Sequence, residues 1–213
     1  MATFDLQEQE QLDEIKHFWK KWGTLITTLL VIVMGGLAAW NGYQYWQNRQ
    51  GAQAGALASA VEAAVNSGDK GRIDQAFGDL RSSYGGTMQA AHAGLLVAKA
   101  ASDKGQLDDA KAALTWVADN AADDGLKATA RVRLASVLMS TQAYDDALKQ
   151  LDAKMPTEFD AVVADRKGDI YVLKNEPAKA IESYRAAYQK TVSGVEYRNV
   201  ISVKLNALGE EIK

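Results

Sequence analysis

The 213-residue chain contains no cysteine. That excludes disulfides, thiol catalysis and thiolate metal sites, while leaving the compartment open. Only two prolines occur, and with alanine abundant the chain favours helix throughout. Histidine is as scarce: His17 and His92 have no sequence neighbour that would complete a metal pair or a catalytic dyad. No phosphate loop or nucleophile motif is present, so the residues point to a non-enzymatic protein without a cofactor. Charge of one sign is also lacking. The formal net charge is −3, and from Asn41 onward 21 Lys and Arg stand against 22 Asp and Glu. Nothing there suggests a nucleic-acid surface.

What the sequence does have is one long apolar run. "GTLITTLLVIVMGGLAAW", Gly23 to Trp40, carries no charge over 18 residues. From Trp22 to Trp40 a helix rises roughly 27 Å at about 1.5 Å per residue, close to the roughly 30 Å of a bilayer's hydrocarbon core. Trp19 and Trp22 precede the run, Trp40 ends it, and Tyr43, Tyr45 and Trp46 follow. Such rings prefer the interface, where the body is buried and the polar atom stays wet. A buried core helix has no use for these brackets. A cleaved signal peptide has a shorter apolar region behind a short basic lead, whereas here 22 residues come first and five are acidic. The run therefore reads as a retained transmembrane helix.

Lys16, Lys20 and Lys21 precede the span, and only Arg49 follows it within 20 residues. By the positive-inside rule the tail stays in the cytoplasm and the rest is exported, to the periplasm in a Gram-negative cell. The expected layout is a tail over 1–22, a span over 23–40, a juxtamembrane linker or helix over 41–56 and a periplasmic domain over 57–213. Within the span, Gly35, Gly36 and Ala39 would let a second transmembrane backbone approach closely; equally, such residues are common in membrane helices. In the tail, Leu12, Ile15, Trp19 and Trp22 form an apolar stripe. It could lie on the inner membrane surface or meet a cytoplasmic partner.

The exported part repeats. "GRIDQAFGDL" (71–80), "GQLDDAKAAL" (105–114), "TQAYDDALKQL" (141–151) and "KNEPAKAIESY" (174–184) align on Ala76, Ala110, Ala147 and Ala180, at intervals of 34, 37 and 33. Four residues later comes a bulky side chain: Leu80, Leu114, Leu151 and Tyr184. Twelve residues before each alanine stands another small residue: Ala64, Ala98, Ala135 and Gly168. The physical reading is a stack of antiparallel helix pairs. Small residues facing one another bring the two axes to the close end of the roughly 8–10 Å range, and the bulky residue fills the space between pairs. The acidic doublets Asp108–Asp109, Asp123–Asp124 and Asp145–Asp146 fall where helices should begin, suited to the positive end of the dipole. Pro177 fits a first helical turn. "VEYRNVISVKLNAL" supplies a last helix to cap the stack.

This pattern resembles the tetratricopeptide repeat, a 34-residue helix pair with small residues at its eighth and twentieth positions. The tryptophan of the first helix and the closing proline are missing, so the units are degenerate. The expected fold is all-α: one transmembrane helix, then about four helical hairpins and a capping helix. Projecting the repeat places Val61, Val65, Leu95, Lys99, Val132, Ser136, Met139, Asp165, Asp169 and Val172 on a candidate protein-binding groove, unless they only pack the array. The family's carboxylate clamp needs Lys or Arg where this chain has Val61, Leu95, Val132 and Asp165, so that clamp is not expected.

Taken together, "EQEQLDEIKHFWKKWG", "NGYQYWQ", "LKATARVRLASVLMSTQAYDDALKQLD" and "ADRKGDIYVLKNEPAKAIESYRAAY" resemble the YfgM family of ancillary subunits of the bacterial Sec translocon. The resemblance covers nearly the whole chain. It implies an inner-membrane protein with a periplasmic repeat domain, partners in SecYEG and the membrane-anchored chaperone PpiD, and help to newly translocated, unfolded clients. It also implies a cytoplasmic role for the tail in restraining a stress-response regulator. The competing reading is a membrane-anchored adaptor of an envelope complex unrelated to secretion.

Overall fold

A computed structural model describes residues 6–192 and 194–210, with side chains from Leu12 onward. The described residues are helical with no strand: α1 (Leu6–Ser67), α2 (Lys70–Tyr84), α3 (Met88–Asp103), α4 (Leu107–Asn120), α5 (Asp124–Ser140), α6 (Tyr144–Leu151), a 3-10 turn (Thr157–Phe159), α7 (Asp160–Leu173), α8 (Pro177–Lys190) and α9 (Glu196–Ala207). Residues up to Arg49 form one unit and those from Gln50 a second.

In the first unit, α1 is the one described helix long and apolar enough to cross a membrane. Its apolar side chains point outward all round, among them Leu25, Leu30, Ile32, Met34 and Leu37. A helix with no polar face is suited to lipid. Its polar atoms are satisfied internally: Thr27 Oγ1 donates to the Gly23 carbonyl at 2.8 Å and Thr28 Oγ1 to that of Thr24 at 2.7 Å. At one end Lys21 lies over the Trp22 ring, 5.9 Å from its centroid, and at the other Arg49 lies 5.3 Å from that of Tyr45. Trp19, Trp22, Trp40, Tyr43 and Trp46 are all exposed, and a Cβ on Gly35 or Gly36 would meet nothing within 4 Å.

In the second unit, three hairpins turn in the same way. Gly105, Gln142 and Asn175 take positive φ, at 72°, 59° and 58°. After each, an amide reaches back to the carbonyl five residues earlier: Gln106 to Ala101 (2.8 Å), Ala143 to Leu138 (2.9 Å) and Glu176 to Tyr171 (2.8 Å). This is the bond by which a left-handed residue closes a helix C-terminus. Helix starts are capped where the acidic and hydroxyl residues allow: Asp69 accepts from Arg72 N, Thr87 from Ala90 N and Asp123 from Leu126 N. Asp108, Asp109, Asp124, Asp145 and Asp146 occupy first turns, and Pro177 opens α8.

Packing follows the repeat. Ala64, Ala98, Ala110, Ala135, Ala147, Gly168 and Ala180 are buried, while Ala76 is half-buried against the core. Leu80, Leu114, Leu151 and Tyr184 are all buried. Gly168 gives the close approach its sharpest form. A Cβ there would lie 2.4 Å from Tyr184 ring carbons. The unit with the aromatic filler is thus the one whose first helix lacks a Cβ. One core runs from Ala54 to Ile170, with Phe77 and Trp116 edge-to-face at 5.2 Å, and a smaller one joins Ala180, Tyr184, Ala187, Ile201 and Leu205.

Of the two expectations for 41–56, linker or helix, the structure has the helix. Helix α1 continues through these residues, Gln53 accepts a hydrogen bond from Tyr84 Oη at 3.1 Å, and Ala54 is fully buried. Packing of the array therefore reaches back before residue 57. Isolated glycines such as Gly51 and Gly55 each cost a helix only about 1 kcal/mol, too little to end it.

Candidate functional site

The residues projected onto a groove divide by their fate. Val61 and Leu95 have 0% and 7% of their surface exposed and form core, not groove. Val65, Val132 and Met139 are half-buried against that core. Asp165, at the equivalent place in the fourth unit, is 3% exposed. Val61 and Leu95 belong to the main buried core of the array, and Asp165 is bonded to the last helix. The corrected reading is that Val61, Leu95 and Asp165 hold the array together and present no binding surface.

A buried carboxylate needs partners, and α9 supplies them. Tyr197 Oη donates to Asp165 Oδ2 at 2.9 Å, and Lys204 Nζ donates to Asp165 Oδ1 and Asp169 Oδ1, both at 2.7 Å. Tyr184 Oη adds a bond to Asp169 Oδ1 at 2.8 Å and Arg166 Nη1 one to Oδ2 at 3.1 Å. Two carboxylates and two cations thus balance at the junction of α7, α8 and α9. Burial first, and then the hydrogen bond to a carboxylate, push the Tyr184 and Tyr197 hydroxyls well above the ordinary tyrosine range. The cluster docks the last helix; Asp169 belongs to it and not to an open groove. Val172, one turn on, is exposed.

Two open grooves lie elsewhere on the array. One, about 450 Å³, lies among α3, α4 and α5, lined by Ala98, Lys99, Ser102, Leu107, Leu114, Arg133, Ser136, Val137 and Ser140. The structure brings together only Lys99 and Ser136 of the projected residues here. Arg133 and Ser140 were missed, although Arg133, Ser136 and Ser140 recur at helical spacing on one face of α5, which is the signal that could have found them. The other groove, about 560 Å³, lies between α6, α7 and α8, and holds Lys167, Lys179 and Lys190 with Asp152, Asp160 and Glu182. Its charges are matched, with Lys167 on Asp152 and Lys190 on Asp160, each at 2.6 Å. No cluster of three His, Cys, Asp or Glu side chains that could hold a metal occurs among the described residues.

The chain thus carries an anchor-length apolar helix and a stack of degenerate hairpins. The tetratricopeptide repeat-like domain family matches residues 16–210. A protein of Neisseria gonorrhoeae (strain ATCC 700825 / FA 1090) named "Ancillary SecYEG translocon subunit" is 33% identical over 207 residues, spanning 95% of this chain and 98% of that protein. The chain belongs to that family. Relatives of the same name in Haemophilus influenzae and Escherichia coli K12 are 28% and 27% identical, covering 97% and 94% of this chain and 100% and 96% of their own lengths. The match spans the apolar part of α1 and the hairpins together, so the family carries both.

Proposed function

We propose that this chain is a non-enzymatic, single-pass inner-membrane protein. Its tail lies in the cytoplasm and its repeat array in the periplasm, beside the SecYEG translocon and the chaperone PpiD, where it assists newly translocated chains. The observation that carries this reading is similarity along nearly the full length to proteins named as ancillary SecYEG translocon subunits. The orientation rests on Lys16, Lys20 and Lys21 before the span against Arg49 after it.

Helix α1 supports an anchoring role, since its outward apolar residues and its aromatic and cationic ends suit a bilayer. Tethering lets weak contacts suffice: short tethers give effective concentrations of about millimolar. Shallow, partly apolar grooves then serve to hold extended segments briefly without trapping them. A photo-crosslinking residue at Ser136, on the α3–α5 groove, tests this in living cells. Adducts with PpiD, SecYEG or secretory precursors are expected. Adducts confined to one unrelated envelope protein would replace the translocon reading with that of a dedicated adaptor.

A further inference from the structure

The two open grooves differ in charge. In the groove among α6, α7 and α8 three lysines face three carboxylates. The groove among α3, α4 and α5 is lined by two cations, Lys99 and Arg133, and by no carboxylate. Lys99 is partly neutralised from beyond the lining by Asp103, whose Oδ2 lies 2.5 Å from its Nζ. Arg133 is exposed and has no carboxylate, carbonyl or ring partner among the described residues. The comparison with its neighbour Arg131 is direct, since that guanidinium reaches Gln150 and the Ala118 carbonyl.

Beneath the two cations the floor is apolar, formed by Leu107, Leu114 and Val137. On the α5 side, Ser136 Oγ donates to the Val132 carbonyl and Ser140 Oγ to that of Ser136, both at 3.2 Å. With their protons committed, these hydroxyl oxygens are left as acceptors, which is what a passing peptide N–H requires.

We infer that this groove takes extended protein segments in which an acidic side chain neighbours an apolar one. The carboxylate meets the Arg133 guanidinium, the apolar side chain rests on Leu107, Leu114 and Val137, and backbone amides donate to Ser136 and Ser140. The guanidinium fork matches a carboxylate in a way a lysine does not, because two parallel hydrogen bonds fix both position and plane. Asp103 takes up much of the Lys99 charge, so discrimination falls chiefly to Arg133. The inference rests on the client-binding reading above and names the class of segment preferred.

The test uses the full chain in lipid nanodiscs. A fluorescein-labelled peptide of leucine, valine and serine with two glutamates is compared by anisotropy with sister peptides carrying glutamine or lysine instead. At low salt the glutamate peptide should bind about five-fold tighter than the glutamine one, as expected of one solvent-exposed ion pair. Arg133→Gln should erase that preference without changing thermal unfolding, Arg133→Lys should keep part of it, and Lys111→Gln, on the exposed surface of α4, should keep it all. Equal binding of the three peptides would overturn the inference and leave client binding standing. Loss of the preference in Lys111→Gln as well would overturn it by assigning the effect to the general field. Failure of every peptide to bind would remove both readings.

Discussion

Gly168→Ala probes the helix approach on which the repeat is built. In the interior of a helix this substitution ordinarily stabilises by about 0.5–1 kcal/mol, because alanine has less backbone freedom to lose. Here the new Cβ would lie 2.4 Å from two Tyr184 ring carbons and 2.9 Å from a third. Ordinary carbon contacts begin near 3.5 Å, so ring or helix must move by about 1 Å. Tyr184 is buried and its hydroxyl is tied to Asp169, which leaves the ring little freedom. Overpacking of this kind costs about 1–3 kcal/mol. The expected net effect is a loss of about 1–2 kcal/mol, a fall of about 2–8 °C in Tm for a chain of this size. Urea unfolding of the full chain in detergent, followed by circular dichroism, reads it. Gly78→Ala is the control: it lies in α2, where a Cβ would meet nothing within 4 Å, and should stabilise by about 0.5–1 kcal/mol. In a Tyr184→Leu background, the filler of the other three units, Gly168→Ala should become neutral or favourable. If Gly168→Ala stabilises as much as Gly78→Ala, the close approach of α7 and α8 is wrong.

Lys204→Met removes the cation shared by Asp165 and Asp169 and leaves a buried carboxylate short of its partner. It should cost about 3 kcal/mol, with hydrogen exchange accelerated first in α9; uniform exchange along the array would contradict that role. Tyr184 and Tyr197 have hydroxyls raised above the ordinary value of 10.0 in the folded chain. The stability they contribute is complete below about pH 10 and lost as pH rises beyond it, since the unfolded chain then sheds protons that the folded chain keeps. Tyr184→Phe with Tyr197→Phe should flatten the alkaline fall in unfolding free energy; an unchanged slope would show that these hydroxyls do not carry it. Because the chain has no cysteine, Asp13→Cys and Ser82→Cys give an unambiguous topology test. An impermeant maleimide added to spheroplasts should label the second and not the first, and the reverse would invert the orientation.

Much of the architecture could be read from spacing. Small residues twelve apart and bulky residues four further on are steric requirements of paired helices, and each position constrains only its near neighbours. That is why the paired positions of three units reappear buried, and why only Ala76, in the first, is left half-covered. The site was less legible. Which face of a first helix is groove and which is covered depends on tertiary packing, so Val61 and Leu95, read as groove from the repeat, are core. Asp165 looked like a groove acid because its partners, Tyr197 and Lys204, lie 32 and 39 residues away in sequence. No local pattern announces such a bond. Arg133 is the converse case: it has no partner among the described residues, and only the surrounding side chains reveal that. Over 41–56 the sequence left linker and helix both open; helix α1 runs through Gly51 and Gly55, with Ala54 buried and Gln53 bonded to Tyr84.

The most direct measurement is affinity purification of the full chain through a C-terminal tag after mild detergent solubilisation, with mass spectrometry of what co-elutes. SecYEG and PpiD should be recovered together, and should be lost or much reduced when residues 23–40 are replaced by an unrelated apolar span. Recovery of neither, with one other envelope complex present reproducibly, would contradict association with the translocon and leave this chain as an anchored adaptor elsewhere in the envelope.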